Sequence, residues 1–548
     1  MKDKTMKKSG IVGGAFITTL GIVITKIIGV LYVIPFHSII GEEGGALYGY
    51  AYTIYLLFMS LSSLGIPLAI SKLVSEYQTL GYYSVKKRAF VLAKKISLIL
   101  GFICFIILIL FAPLIAKMIL GDLTGGNTIS DVTYVIRIIA LAILVVPILS
   151  IYRGYFEGHR LFSPPSISQV IEQLFRVVVI VLGSFLALKV FKLSLTTAVG
   201  VAVFGAFVGA FASYFYLVFK LRKNKRRFNE RVRDVNEPII SDKAIIRKIF
   251  IYAAPFIMID IFRSLYNYVD VVTVVKGLVK YANFSVVDSE AIMSMLSTWA
   301  NKFNMVLSAI ASGLIVSLIP NLTKDLVDKK HEDVNKKINQ SLSLLLFFTI
   351  PMTIGISFLA KPIWELFYGS STYGPSVLSY YIFTGLIVGL FTCVVSILQV
   401  FKDYKIVFGS LLCGFILKIV LNISLIDSFY KMGVPAYYGV ITASVLGYLT
   451  SIIICLVVLY YKYHVSFEDL AMNIINIICG VVLMMMGLLI VRFIVPISSS
   501  VRLANIFIII LYGLVGSAIY FFYAYKVKLF KKVFNKSLGS MIKSLKKY

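Results

Sequence analysis

Apolar stretches of about twenty residues recur along the whole chain, and they constrain its fold more than any other feature. An α-helix needs about 20 such residues to cross ~30 Å of hydrocarbon, whereas the strands of a membrane β-barrel are shorter and alternate in polarity. Hydrophobic residues make up 59% of the 548 residues and charged residues only 14%, which is far from the balance of a soluble domain. The sequence therefore predicts an all-α integral membrane protein.

The apolar stretches predict fourteen transmembrane helices joined by short connections. The first stretch is too long for a cleavable signal peptide, and further spans follow it at once. The predicted spans are residues 11–36, 46–75, 88–118, 131–153, 165–190, 194–221, 248–276, 291–319, 341–367, 376–401, 406–426, 435–461, 469–495 and 502–526.

Basic residues are concentrated on one side of these spans. They fill the N-terminus, the second loop, the central linker and the C-terminal tail, whereas the opposite connections, such as 37–45, are neutral to acidic. This distribution follows the positive-inside rule and predicts a multi-pass protein of the plasma membrane with both termini in the cytoplasm. Although the formal net charge is +29, its position favours anionic membrane lipids over nucleic acid as partners.

A charged linker separates the first six predicted spans from the next six. We predict an N-terminal lobe of spans one to six at 1–222, a cytoplasmic linker at 223–247 and a C-terminal lobe of spans seven to twelve at 248–461. Residues 462–548 would then form two further spans and a basic cytoplasmic tail.

The sequence carries no signature of an enzyme. The five cysteines lie in apolar stretches without CxxC or CxxH spacing, and the four histidines form no HExxH pattern. We find no GxSxG or Walker A sequence, and no connection is long enough to hold a catalytic domain. We therefore predict that the protein is not an enzyme and has neither a cofactor nor a metal site.

Ionisable residues inside several spans indicate a function, because a charge at the centre of a membrane helix costs roughly 2.5 to 3.5 kcal/mol. Lys26 lies near the middle of the first span, where it either faces a wet cavity or forms an ion pair. Lys302 lies beside a polar face of the eighth span, and helix packing does not explain it.

The seventh span carries four polar residues at intervals of three and four, which places them within about 80° of the helix circumference. Arg263 can pair with Asp260 through the i,i+3 spacing. Asp270 and Asn267 then need another partner, either Lys418 of the eleventh span or a bound cation.

The fifth span contains Glu172 and Arg176 at i,i+4 spacing, which favours a structural ion pair. Across all spans, deep bases outnumber deep acids by three, and such an excess favours an anion as the ligand. The bases are Lys26, Arg137, Arg176, Arg263, Lys302 and Lys418, and the acids are Glu172, Asp260 and Asp270.

Several segments distributed along the chain carry a family resemblance. They are TKIIGVLYVIPF, GIPLAISKLVSEY, RGYFEGHRLFSPPSISQVIEQLFRV, YAAPFIMIDIFRSLYNYVD and GLIVSLIPNLTK. With fourteen spans, the chain resembles the MurJ-type lipid II flippases of Gram-positive bacteria, in the multidrug/oligosaccharidyl-lipid/polysaccharide exporter superfamily. The third segment is shared with sporulation and polysaccharide exporters, whereas the length and the last two spans favour the MurJ type.

The resemblance implies two lobes around a V-shaped central cavity, with alternating access to the two leaflets. Cavity bases would bind the diphosphate of lipid II or a related undecaprenyl-diphosphate glycolipid, and spans thirteen and fourteen would form a groove for the polyprenyl tail. Lys26 and Lys302 match family bases in spans one and eight, and Arg263 and Asp260 complete the predicted substrate site. Cell-wall synthases are the implied protein partners.

The sequence also departs from the family. Tyr32 stands where many members carry a second base, and the second span has no base at its middle. Some members bind sodium between spans seven, eleven and twelve, where Asp270, Asn267 and Thr442 fit. Lys418 lies in the same place, and its ammonium can replace the ion, so that coupling to sodium, to protons or to the membrane potential stays open.

Three alternatives remain from the sequence alone. The first is an exporter of another polyprenyl-linked oligosaccharide, for a capsule or for sporulation. The second is a cation-coupled drug antiporter, for which an acidic, aromatic cavity is expected rather than a basic one. The third is a non-transporting scaffold, which does not require buried bases.

Overall fold

The computed structural model describes residues 11–63, 65–224, 237–328, 330–499 and 501–534. Every regular element within these ranges is helical, which confirms the all-α fold class. The chain divides into two compact units between Thr298 and Trp299.

The described residues of the first unit form nine helices. The sixth continues through two wider, π-helical segments, Val179–Gly183 and Leu186–Val190. The helices are α1 (Ile11–Leu31), α2 (Val33–Ser62), α3 (Ile66–Leu80), α4 (Tyr83–Leu120), α5 (Ile129–Gly158), α6 (Ser163–Val178), α7 (Leu195–Lys223), α8 (Asp242–Ala282) and α9 (Val286–Ser294).

Hydroxyl side chains define several helix starts in this unit. Thr128 Oγ1 accepts a hydrogen bond from Asp131 N at 3.2 Å, and the Asp131 carboxylate accepts one from Thr128 N at 3.0 Å, which completes a capping box at the start of α5. Ser194, Ser241 and Ser285 accept the equivalent backbone bond before α7, α8 and α9. These capping hydrogen bonds fix the residue at which each helix begins.

The predicted second span, 46–75, is not one continuous helix. Helix α2 ends at Ser62, and α3 begins at Ile66 with Pro67 in its first turn. Proline disfavours helical geometry in the residue before it, so the break falls there. A second irregularity lies at Gly41, whose φ of 67° and ψ of −164° are suited only to glycine.

The two ends of α8 contact the two ends of α4. Arg88 and Asp242 form an ion pair near the first residues of both helices. Near the last residues, Lys276 Nζ donates a hydrogen bond to Met118 O at 2.6 Å. Helix α8 therefore packs against α2, α3 and α4 within the first unit, and α9 packs against α2. The lobe boundaries at 1–222 and 248–461 stay a prediction.

In the part of the second unit that the structure describes there are also nine helices. A π-helical turn, Met295–Trp299, leads into the first of them. They are α10 (Asn301–Val327), α11 (His331–Phe358), α12 (Ala360–Tyr368), α13 (Gly374–Val400), α14 (Tyr404–Lys431), α15 (Tyr437–Tyr463), α16 (Glu468–Ile494), α17 (Arg502–Lys526) and α18 (Leu529–Phe534).

Within the described residues, eleven helical segments are long and apolar enough to cross a membrane. They correspond to predicted spans two to six and nine to fourteen. Helices also occupy the three remaining predicted spans, as α1, α8 and the pair α9–α10. These three carry the predicted substrate residues Lys26, Asp260, Arg263 and Lys302.

A candidate anion-binding cluster and an apolar groove

Electrostatic interactions connect three of the four predicted substrate residues within the first unit. The Lys26 ammonium on α1 and the Arg263 guanidinium on α8 repel each other. Asp260, one turn before Arg263, attracts its guanidinium, although no direct ion pair joins them within the described residues. We call Lys26, Asp260 and Arg263 the basic cluster, and it carries one excess positive charge.

Glycines hold the helix that carries Lys26 close to α6. A Cβ atom on Gly21 would lie 2.9 Å from Ser166 Cβ, and one on Gly29 would lie 3.4 Å from the side-chain nitrogen of Gln173. Small residues are the usual means by which membrane helices approach closely. Lys26 itself is half-buried, so its ammonium group keeps some access to a ligand.

The polar face of α8 is accessible, as an anion site requires. Asn267 is exposed, and Asp260, Arg263 and Asp270 are half-buried, whereas Phe262 and Tyr266 on the other side of the helix are buried. Guanidinium and ammonium groups are the side chains that bind phosphate most strongly. The basic cluster can therefore hold one phosphate group of a larger ligand.

Lys302 belongs to the second unit, in the first turn of α10. Its side chain is half-buried, and the π-helical turn Met295–Trp299 comes just before it. Asn304, on the same helix, is buried and donates a hydrogen bond to Thr384 Oγ1 at 2.7 Å. The side-chain nitrogen of Asn304 thus joins α10 to α13.

Glu172 binds two arginines. Arg176 Nη2 lies 2.5 Å from Glu172 Oε1, as the i,i+4 spacing implies, and Arg153 Nη2 lies 2.7 Å from Oε2. Arg153 also donates to the hydroxyls of Ser168 and Ser213, at 2.9 and 3.1 Å. Sequence reasoning missed Arg153, although it begins the segment RGYFEGH and its charge lies on the adjacent helix α5.

The second unit contains a fully buried ammonium group. Lys418 Nζ donates to Asn422 Oδ1 at 2.8 Å, to Val440 O at 3.2 Å and to Ser444 Oγ at 2.6 Å. The Lys418 side chain has no measurable exposure. Three oxygen atoms from α14 and α15 therefore surround a cation that the chain itself supplies.

Thr442 does not join this group. Its hydroxyl donates to Tyr438 O at 2.8 Å and lies 3.0 Å from the Tyr380 hydroxyl, on the side of α15 that faces α13. Ser444 takes the place predicted for Thr442 beside Lys418. Asp270 and Asn267, predicted for the same ion site, belong to α8 of the first unit.

An apolar cavity of about 250 Å³ opens between α11, α12, α16 and α17. We call it the apolar groove. Its walls include Phe347, Met352, Met484, Leu488, Gly513 and Tyr520. The two tyrosine hydroxyls at its edge are engaged, since Tyr512 donates to Val495 O and Tyr520 to Phe347 O, at 2.7 and 2.9 Å. The surface left to a ligand is therefore almost entirely hydrocarbon.

Comparison with known proteins identifies the family. The family described as polysaccharide biosynthesis protein matches residues 11–324, and the MatE family matches residues 294–424. Lipid II flippase MurJ of Bacillus subtilis (strain 168) is 32% identical over 539 residues, which cover 97% of this chain and 98% of that protein. The chain belongs to the MurJ family of lipid II flippases. This is a family of membrane transporters, not enzymes.

Other relatives of this MurJ-family chain are more distant. Stage V sporulation protein B of Bacillus subtilis (strain 168) is 25% identical over 366 residues, covering 67% of this chain and 68% of that protein. A solved structure, lipid II flippase MurJ in an inward closed conformation, matches with a TM-score of 0.66 at 15% identity, over 95% of this chain and all of the other. An inward-facing multidrug resistance MATE transporter matches with a TM-score of 0.60 at 12% identity, over 80% and 94%. The structural matches confirm the MurJ and MATE type of helical fold.

Proposed function

We propose that this protein moves lipid II from the inner to the outer leaflet of a bacterial plasma membrane by alternating access. The observation that carries the proposal is the basic cluster, where the cations of Lys26 and Arg263 repel each other and the carboxylate of Asp260 attracts the Arg263 guanidinium. Two neighbouring cations inside a membrane protein are stabilised by an anionic ligand. The diphosphate of lipid II is such an anion, and Lys302 is proposed as a further contact to it.

The apolar groove supports a polyprenyl-linked substrate over a soluble anion. Its lining is mostly hydrocarbon, and the hydroxyls of Tyr512 and Tyr520 are engaged with backbone oxygens. An isoprenoid chain can bind there mainly through apolar contact. A charged head group and an apolar tail would thus each have a matching surface.

The proposed orientation follows from the charge of the loops. Both termini and the basic linker lie in the cytoplasm, next to anionic lipid head groups. The membrane potential, negative inside, then favours the outward movement of an anionic head group by about 2.3 kcal/mol per charge per 100 mV. Because Lys418 supplies a fixed cation within the protein, we propose that transport is driven by this potential or by protons, with no sodium requirement.

Complementation tests the proposal. A bacterium whose native lipid II flippase can be depleted would express this chain or the variants Lys26→Ala and Lys302→Ala. We expect the parent to restore growth and the appearance of lipid II on the outer leaflet, and both variants to fail at equal abundance in the membrane. Lys189→Ala and Lys361→Ala are matched controls, because both lysines are exposed at helix ends, and both controls should restore growth.

The alternative outcomes are specific. If the parent is inserted but does not complement, another polyprenyl-linked glycan becomes the better substrate, and cells that lack a capsule or sporulation exporter are the next hosts. If both alanine variants complement as well as the parent, the two lysines do not bind the head group.

A further inference from the structure

A buried carboxylate that forms no ion pair within the described residues lies in the middle of α9 in the first unit. Glu290 is 1% exposed. Its Oε2 accepts hydrogen bonds from the backbone N–H and the side-chain amide of Asn127, both at 2.9 Å, and its Oε1 accepts one from the Tyr50 hydroxyl at 3.3 Å. The one carboxylate therefore joins α9 to α2 and to the connection between α4 and α5.

Two glycines allow a close approach at this contact. A Cβ atom on Gly126 would lie 2.4 Å from Glu290 Oε2, and one on Gly49 would lie 2.2 Å from the Ser297 hydroxyl oxygen. The Thr298 hydroxyl donates to Gly45 O at 3.1 Å. We call the contact of residues 290–298 with α2 and Asn127 the carboxylate seam.

The chemistry of the seam suits a contact that opens. A carboxylate loses its hydration when it is buried, and neutral donors replace only part of that loss. On opening, water rehydrates Glu290, so the open state is not penalised as an exposed apolar patch would be. A permanent helix contact at this position would be expected to use apolar side chains, as the cores of the neighbouring helices do.

The seam is also placed next to a wide turn. Residues 295–299 form a π-helical turn that connects α9 to α10, and Lys302 follows three residues later. Wide turns of this kind occur at functional sites in helices. A movement of the helix that carries Lys302 would therefore pass through the same turn that contains Ser297 and Thr298.

We propose that the carboxylate seam is the closure of the outer side of this transporter, and that Glu290 is the positioning residue that holds it shut between transport events. This inference rests on the proposed function for its direction, because the loop charges place Asn127 and Glu290 outside. The seam would open each time a head group leaves the protein and would close again when the substrate site faces the cytoplasm.

A reversible disulfide tests whether the seam must open. In a variant without the five native cysteines, Gly49→Cys and Ser297→Cys would be combined. A Cβ on Gly49 lies 3.1 Å from Ser297 Cβ, a little closer than the ~3.5 to 4.5 Å of a disulfide, so a small shift of the two helices would admit the bond. The matched control is Gly183→Cys with Val201→Cys, where the corresponding distance between α6 and α7 is 3.9 Å. We expect oxidation to abolish complementation by the seam pair, reduction to restore it, and the control pair to work in both states.

Full oxidation of the seam pair with undiminished transport would overturn the inference. If the parent itself does not complement, the proposed substrate fails and the seam is judged by a measurement that needs no substrate. That measurement is the rate at which a membrane-impermeant maleimide labels Ser297→Cys in intact cells. Glu290→Gln should raise this labelling rate roughly tenfold. The substitution replaces one carboxylate oxygen by an NH₂ group, which cannot accept the hydrogen bonds that this oxygen accepts.

Glu43→Gln is the control for this labelling. It removes a neighbouring negative charge from an exposed side chain, and it leaves the backbone oxygen that Asn127 contacts. The labelling rate should not change in this control. An unchanged rate in Glu290→Gln, or an equal increase in both variants, would show that Glu290 does not hold the seam.

Discussion

Arg153 Nη2 lies 2.7 Å from Glu172 Oε2, and this ion pair joins α5 to α6 between side chains that are only 17% and 13% exposed. Arg176 occupies the other carboxylate oxygen. One carboxylate therefore pairs with two half-buried cations, and both ion pairs depend on it.

We predict that Glu172→Gln lowers the free energy of unfolding by about 3 kcal/mol or more, because it leaves two half-buried guanidinium groups without a counter-charge. The melting temperature of the purified protein in detergent measures this loss. Ser213→Ala is the matched control, since it removes one neutral hydrogen bond to Arg153 and should cost about 1 kcal/mol. Equal losses in the two variants would contradict a role for the charge.

The apolar groove predicts a position-specific block of transport. Gly513 lines the groove with open space beyond its Cα, whereas the adjacent Leu514 is 66% exposed on the outer surface of α17. Gly513→Trp should fill the groove and reduce complementation several-fold, and Leu514→Trp should leave it unchanged. Equal activity of the two variants, at equal abundance, would exclude the groove from substrate binding.

Removal of the buried ammonium group should create a cation site. Lys418→Ala removes the ammonium group that donates to the oxygens of Asn422, Val440 and Ser444, and side-chain and backbone oxygens are typical sodium ligands in transporters. We predict that the melting temperature of this variant rises when sodium chloride replaces choline chloride at equal ionic strength. The parent and Lys418→Met, whose longer side chain fills the space, should not respond. A sodium response in the parent would argue for an ion site elsewhere.

One carboxylate in a loop predicts a pH effect on stability. Lys462 and Tyr463 donate hydrogen bonds to Asp403 Oδ2 at 2.6 and 3.0 Å and hold the pKa of this carboxyl below its usual range. A lowered pKa contributes stability above the unfolded value of about 4, and the contribution is lost as the pH falls toward the folded value. Asp403→Asn should therefore lower the melting temperature at pH 7, and the difference from the parent should shrink as the pH falls below about 4. A difference that does not shrink with falling pH would contradict this account.

The sequence predicted helices well wherever an apolar run was continuous, because length and hydropathy alone decide whether a helix can cross a membrane. It predicted the pairing of Glu172 with Arg176 because both lie on one helix, where spacing fixes distance. Arg153 lies on another helix, so only the packing of α5 on α6 could reveal it. Ser444 could have been predicted from the helix period. It lies one turn after Val440 on the same side of α15, whereas Thr442 is rotated by about 200° from both residues.

Glu290 gave no sequence signal. It lies outside the predicted spans, and its hydrogen-bond partners, Asn127 and Tyr50, are 163 and 240 residues away in the chain. Spacing rules reach only a few residues, so a contact of this range follows from the tertiary fold alone. The same holds for the break between α2 and α3, where Pro67 was visible but the apolar run continued across it.

The size of the apolar groove has a consequence for how much of a lipid the protein recognises. A cavity of about 250 Å³ is smaller than the ~300 to 1,000 Å³ that usually hold a drug-sized ligand. Phe530 of α18 packs against Phe347 and Phe521 on its wall, with ring centres 5.5 and 6.0 Å apart. A fifty-five-carbon chain cannot enter such a space, so most of it would remain among the acyl chains of the bilayer. Under the proposed function, carriers with fewer isoprene units should serve as well as long ones.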